Sequence, residues 1–200
     1  MDLCTVTNGK YIKNALNLIN SYRLNSYGSK VFLYYFDLEH DSVEKLKKLE
    51  KNNIIVREVP FNCNHAYEST VFYYKTFAIK DALPDSDGII YSDATNAFVR
   101  KDKLRESLVD DALFLPYNDP RLTNDYWTTD LCFEKMQAES ARNMMQYWAG
   151  FQAYGKSDKN LQFVNEMHDY MLDPDIALPN TSIKNPDGSN RPCREHRQDQ

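Results

Sequence analysis

GIIYSDATN, residues Gly88 to Asn96, is the stretch on which the architecture turns. Ile89, Ile90 and Tyr91 follow the turn-forming DSDG of residues 85–88, and the apolar run then breaks abruptly at Ser92-Asp93. A short continuous apolar run bounded by turn signals is the pattern of a strand buried on both faces, as in a parallel sheet. In open α/β sheets the ligand crevice lies outside the carboxyl ends of the strands, so a polar group there is placed to meet a bound molecule. Asp93 is either an acid that caps a strand end or a carboxylate that holds a divalent cation or a sugar hydroxyl. Ser92, Thr95 and Asn96 beside it add oxygen donors of the kind magnesium and manganese prefer.

Upstream, short β-rich runs alternate with helical periods, which predicts strands covered by helices. Leu3–Thr7 (LCTVT) reads as a strand, Ile12, Ala15, Leu16, Ile19 and Tyr22 recur at helical spacing, and VFLYYF at 31–36 reads as a second buried strand. Asp41-x-x-Glu44 has the form of a capping box, opening a helix through Lys51 with Val43, Leu46 and Leu49 inward. IIVREV at 54–59 supplies a third strand, ended by Pro60. After a polar loop at 61–68, Phe72–Leu83 reads as a helix stopped before Pro84. Thr7, Asp37 and Asp93 then share the carboxyl edge of the sheet.

Downstream, the pattern predicts a short helix over 101–109, a strand ALFL at 112–115, helices from Asp125 to about Ala149 and over 161–171, and a carboxyl stretch that is mostly loop. GFQAYGKS at 150–157 matches the phosphate-loop pattern letter for letter. Such a loop must leave a buried strand through a tight turn of small residues. Here the preceding residues read as helical, and bulky Phe151 and Tyr154 stand inside the motif, so a triphosphate site is not expected.

The chain has 200 residues, 42% of them hydrophobic, enough for one sizeable core but not for two ordinary enzyme domains. Its 24 basic and 29 acidic residues leave a net charge of −5, with no global field to attract nucleic acid. No apolar run approaches the roughly 20 residues of a membrane span, and no leader is seen, so a cytoplasmic protein without a membrane span is expected. Cys4, Cys63, Cys132 and Cys193 lie far apart, which fits a reducing compartment and gives no zinc-binding spacing. The closing run with Arg191, Arg194, His196 and Arg197 is either a solvated tail or a cation cluster that folds back on a diphosphate. Lys75 is either an exposed helix lysine or a second such cation, and Trp148 beside small Ala149 and Gly150 is a candidate wall for a sugar or base.

Together these blocks resemble the nucleotide-sugar-dependent glycosyltransferases with the GT-A fold, in particular the small transferase domains of large DNA viruses of algae. LCTVTNGKY, YYKTFAIKDALPDSDGIIYSDA, YWTTDLCFEKM leading to QYWAGFQAY, and the closing HRQDQ carry the likeness over nearly the whole chain, the last as an H-R-x-D-Q signature. The resemblance implies a single α/β domain with a mainly parallel central sheet flanked by helices. It implies a nucleotide-sugar-binding half over 1–100 and an acceptor half over 101–200. By position, Thr5, Thr7, Asn8 and Asp37 would line the nucleoside pocket and Lys75 and Arg197 would approach the diphosphate. Ser92, Asp93 and Ala94 stand in the Asp-x-Asp position, with Thr95 where the second acid belongs. Asp93 and His196 would hold manganese or magnesium, and Trp148, Gly150 and His196 would meet substrate. Asp199 would act as catalytic base if the reaction inverts the anomeric centre and would position substrate if it retains it. The implied reaction transfers a sugar from a nucleoside diphosphate, UDP by family default, to a glycan hydroxyl. A nonenzymatic sugar or nucleotide-sugar binding module is the alternative. Relatives continue beyond the signature, so further domains of a longer chain are expected.

Overall fold

Strand β1 (Asp2–Thr7) is the axis of the sheet, with Leu3 to Thr7 all buried. It pairs in parallel with β2 (Val31–Tyr35) on one side and β4 (Gly88–Ser92) on the other, and β3 (Ile54–Glu58) adds to β2. Beyond β4 the direction reverses. The nine-residue β6 (Tyr147–Gly155) pairs antiparallel with both β4 and β5 (Ala112–Pro116), giving the order β3-β2-β1-β4-β6-β5. The chain is thus a single α/β domain with a six-stranded, mostly parallel sheet flanked by helices. This computed structural model describes residues 1–26, 30–61, 72–100, 104–116 and 123–177.

Period-two alternation sends the two sets of strand side chains into two cores. On one face Leu3, Val31, Leu33, Ile90 and Ala153 meet Ala15, Leu18, Ile19 and Tyr22 of α1 (Ile12–Ser26) and Leu46 of α2 (His40–Lys47). On the other Cys4, Phe32, Tyr34, Tyr91 and Tyr154 meet Ala78, Ile79 and Ala82 of α3 (Tyr73–Ala82) and Val164 of α6 (Asp158–Tyr170). Each fully buried side chain such as Phe32, Leu33 or Ile79 contributes roughly 1.5–3 kcal/mol. Among the described residues no helix is long and apolar enough to cross a membrane.

Several expectations are corrected. The helix after His40 is capped at Glu39 without a side-chain bond, so Asp41 lies in its first turn; it tightens into a 3-10 helix over Lys48–Asn52 and stops at left-handed Asn53. Of the expected 101–109 helix, the described residues from 104 on hold one 3-10 turn, Leu104–Ser107. The largest difference is at 125–149, where only α4 (Asn124–Trp127), α5 (Asp130–Lys135) and a 3-10 turn, Glu139–Ala141, are helical. QYWAGFQAYG is mostly strand because the gap between β4 and β5 supplies ladder bonds on both sides, which override its mixed local pattern. The first six residues of the phosphate-loop match, 150–155, therefore lie in β6, and its Ser157 is the N-cap of α6, accepting the Asn160 N–H at 3.3 Å. A short α7 (Pro174–Ala177) ends the described chain.

The strand order reverses between β1 and β4, because β2 and β3 lie to one side of β1 and β4 to the other. At such a switch point the connections leave in opposite directions and open a crevice at the carboxyl edge. Thr7 and Asp93 stand on its two sides.

Candidate functional site

Asp93 is the residue immediately after β4, and its backbone is tied to the neighbouring strand. Its N–H donates to the Gly150 carbonyl at 2.9 Å, and its own carbonyl accepts the Asn96 N–H at 3.0 Å, closing a turn. The Asn96 amide nitrogen bridges Ser92 Oγ at 3.1 Å and the Gly150 carbonyl at 2.9 Å, which fixes that turn against β6. Alternation places Tyr91 and Asp93 on the same face, the one covered by α3. The Tyr91 hydroxyl donates to Asp93 Oδ1 at 3.0 Å. Burial above all, then the Asp93 charge, pushes the Tyr91 phenol well above its ordinary range, so it stays a donor.

The first turn of α3 supplies the counter-charge. Lys75 Nζ lies 3.3 Å from Asp93 Oδ1 and 3.4 Å from Oδ2, and it also stands over the Phe72 ring at 4.5 Å. Its side chain is only 8% exposed, whereas that of Asp93 is 33% exposed. An ammonium this buried requires a partner, since an uncompensated buried charge costs several kcal/mol. The carboxylate is therefore the more open member of the pair.

Gly150 completes the arrangement. A Cβ built on it would sit 2.8 Å from Asp93 Oδ2 and 2.7 Å from Trp148 Nε1, both too close for any side chain. The space expected to let a ligand reach the backbone is thus taken by the Asp93 carboxylate and the half-buried Trp148 ring.

Of the other candidates, Thr7 and Asn8 stand at the carboxyl edge of β1, with Asn8 Oδ1 accepting the Lys10 N–H at 3.1 Å. Asp37 is exposed two residues beyond β2, with a left-handed φ of 49°. Thr5 lies inside the sheet, its hydroxyl donating to the Ser92 carbonyl at 2.8 Å. Ala94 is buried and Thr95 exposed. His196, Arg197 and Asp199 lie outside the described residues.

The donor set of the described residues does not by itself fit a divalent cation. Among them no three His, Cys, Asp or Glu side chains converge, and both oxygens of Asp93 are already within 3.4 Å of an ammonium. Cys4 and Cys132 are buried free thiols, both pushed up in pKa by burial, Cys132 to about 11.

Tyr91 escaped the sequence reading, although its position two residues before Asp93 on a strand signals a shared face. So did a cavity of about 420 Å³ that Lys75 also lines.

No protein-family model matches the chain, and no curated protein matches it in sequence. Solved structures similar to it in shape include glycosyltransferases. GlyE of Streptococcus pneumoniae TIGR4 gives a TM-score of 0.48 at 12% identity, over 84% of this chain and 37% of its own length. The galactosyltransferase LgtC, solved with donor and acceptor sugar analogs, gives 0.47 at 13% identity, over 86% of this chain and 64% of its own. The chain therefore spans little more than a third of GlyE and just under two thirds of LgtC.

Proposed function

We propose that this chain binds a nucleoside diphosphate sugar, with UDP as the base carrier, and transfers the sugar to a glycan hydroxyl. The carrying observation is the Lys75–Asp93 pair at the carboxyl end of β4, where the strand order reverses. The nucleoside lies along Thr7, Asn8 and Asp37, and residues 1–100 form the donor half. Lys75 faces the diphosphate and stabilises the charge that develops as it leaves, in a site whose dipoles are already fixed. Asp93 accepts hydrogen bonds from donor sugar hydroxyls and holds Lys75 in place until the diphosphate arrives. Residues 101–200 form the acceptor half, where Trp148 flanks the sugar and the closing segment brings His196, Arg197 and the base Asp199. Manganese or magnesium at Asp93, with His196 as a further ligand, requires Lys75 to move off the carboxylate, and metal dependence is tested directly.

Calorimetric titration with UDP, GDP, CDP and ADP, each with and without manganese, tests the reading. One diphosphate binds, and Asp93→Asn weakens it at least tenfold while circular dichroism stays unchanged. A folded protein that binds none of the four refutes it.

The second reading, a nonenzymatic nucleotide-sugar binding module, is favoured by Thr95 standing exposed where a second acid is expected. It predicts the same titration without sugar transfer.

A further inference from the structure

The cavity that Lys75 shares lies between the antiparallel β5–β6 pair and helices that include α3, α5 and α6, and its volume of about 420 Å³ is within the range of small-molecule sites. Its walls are chiefly carbon. Phe114 comes from β5 and Tyr147 from β6, Phe133 and Met136 from the α5 end, and Phe163 and Met167 from α6. The rings of Phe114, Tyr147 and Phe163 make edge contacts, with Phe114 5.9 Å from each of the other two. Tyr147 and Phe163 are nevertheless 47% and 44% exposed, large aromatic surface left open at the lining of a cavity.

Several polar groups on the wall are already engaged within the protein. Gln152 Oε1 accepts the Tyr154 hydroxyl at 2.6 Å, Glu166 Oε1 accepts the Tyr170 hydroxyl at 3.1 Å, and the Asn124 amide nitrogen donates to the Ala141 carbonyl at 2.9 Å. Thr76 Oγ1 donates to the Tyr73 carbonyl at 3.0 Å. Water entering such a space finds few open partners, so an apolar occupant is favoured. A nucleotide sugar is polar along its whole length and does not match these walls. The acceptor is the other molecule the proposed reaction brings to Lys75 and Asp93.

We propose that the cavity binds the apolar aglycone of the acceptor, so that the substrate class is an alkyl or aryl glycoside such as a lipid-linked sugar. The aglycone enters between Phe114, Tyr147 and Phe163, and its sugar stands at the Lys75 end, beside Asp93. This inference rests on the transferase reading for the identity of the ligand, and on the cavity alone for its chemistry.

The test is a binding series of methyl, hexyl and octyl β-glucosides and β-galactosides, each below its micelle concentration, with 1-octanol as the sugar-free control. Nucleoside diphosphate binding is measured on the same preparation. Each added methylene tightens binding roughly three- to fourfold, and the best octyl glycoside binds at least tenfold more tightly than octanol. Phe163→Glu, at the half-open wall, abolishes the chain-length dependence and leaves diphosphate binding intact. Equal binding of methyl and octyl glycosides, with normal diphosphate binding, overturns the inference and leaves the transferase reading standing. Octanol binding as well as every octyl glycoside assigns the cavity to free lipid and overturns it too. Chain-length dependence without binding of any diphosphate supports the apolar site while refuting the transferase reading.

Discussion

Asp93 and Gly150 are joined twice. The Asp93 N–H donates to the Gly150 carbonyl at 2.9 Å, and Asp93 Oδ2 lies only 2.8 Å from the point where a Cβ on residue 150 would stand. The position of the acid is therefore set by an absent Cβ as much as by the strand that carries it.

Gly150→Ala tests this. The new methyl meets a short carboxylate arm and a large indole, neither of which yields without losing contacts. The expected cost is about 1–3 kcal/mol of stability, read by urea unfolding. Asp93 also swings away from Lys75, and nucleoside diphosphate affinity falls about tenfold, equivalent to roughly 1.4 kcal/mol. An alanine variant of unchanged stability and affinity removes the packing argument.

Lys75 and Asp93 form a coupled pair, and a double-mutant cycle measures it. Asp93→Asn removes one negative charge from beside a buried ammonium and costs about 1–3 kcal/mol, moderated by the part-exposed carboxylate. Lys75→Met costs less, because Asp93 keeps the Tyr91 hydroxyl and reaches solvent. The double variant recovers part of the loss, with a coupling of about 0.5–3 kcal/mol. Additive effects argue against the pair.

The parallel half of the fold was legible because its strands are buried on both faces and read as unbroken apolar runs: LCTVT, VFLYYF and GIIYS need no partner to be recognised. Asp93 was legible for the same reason, as the acid that ends such a run. β6 was not. Its alternation is blurred by Tyr147, Trp148 and Gly150, and its pairing irregularity between Phe114 and Pro116 breaks the period-two pattern. Lys75 showed no burial signal of its own, since α3 is apolar on several sides and one lysine in it reads as exposed. The cavity depends on residues from strands and helices distant in sequence, a grouping that no local period records.

Gln146 is 1% exposed, and among the described residues neither side-chain amide atom has a hydrogen-bond partner. An unsatisfied buried polar group costs about 1–3 kcal/mol. Gln146→Leu, similar in size and free of polar atoms, is expected to stabilise the protein by about 1 kcal/mol and raise Tm by roughly 2–4 °C. A lower Tm shows that the amide has a partner in solution.

His168 sets an acid limit on stability. It is 5% exposed between α6 and α3, its Nδ1 lies 3.2 Å from Thr76 Oγ1, and the Tyr73 ring packs against it at a tilt and the Phe77 ring edge-on. Burial above all, then the Lys80 charge, lowers its pKa to about 4, against a smaller opposing pull from Asp169. The folded protein thus keeps the ring neutral where the unfolded chain, titrating near 6.5, takes up a proton. The stabilisation is complete above about pH 6.5 and is lost as the pH falls toward 4, by up to about 3 kcal/mol. Urea unfolding from pH 7.5 to 4 of wild type and His168→Gln measures it. The stability difference between the two is constant above pH 6.5 and shifts against wild type below it, because only wild type carries this proton uptake on unfolding. A difference that stays flat across the whole range assigns the acid sensitivity to other groups.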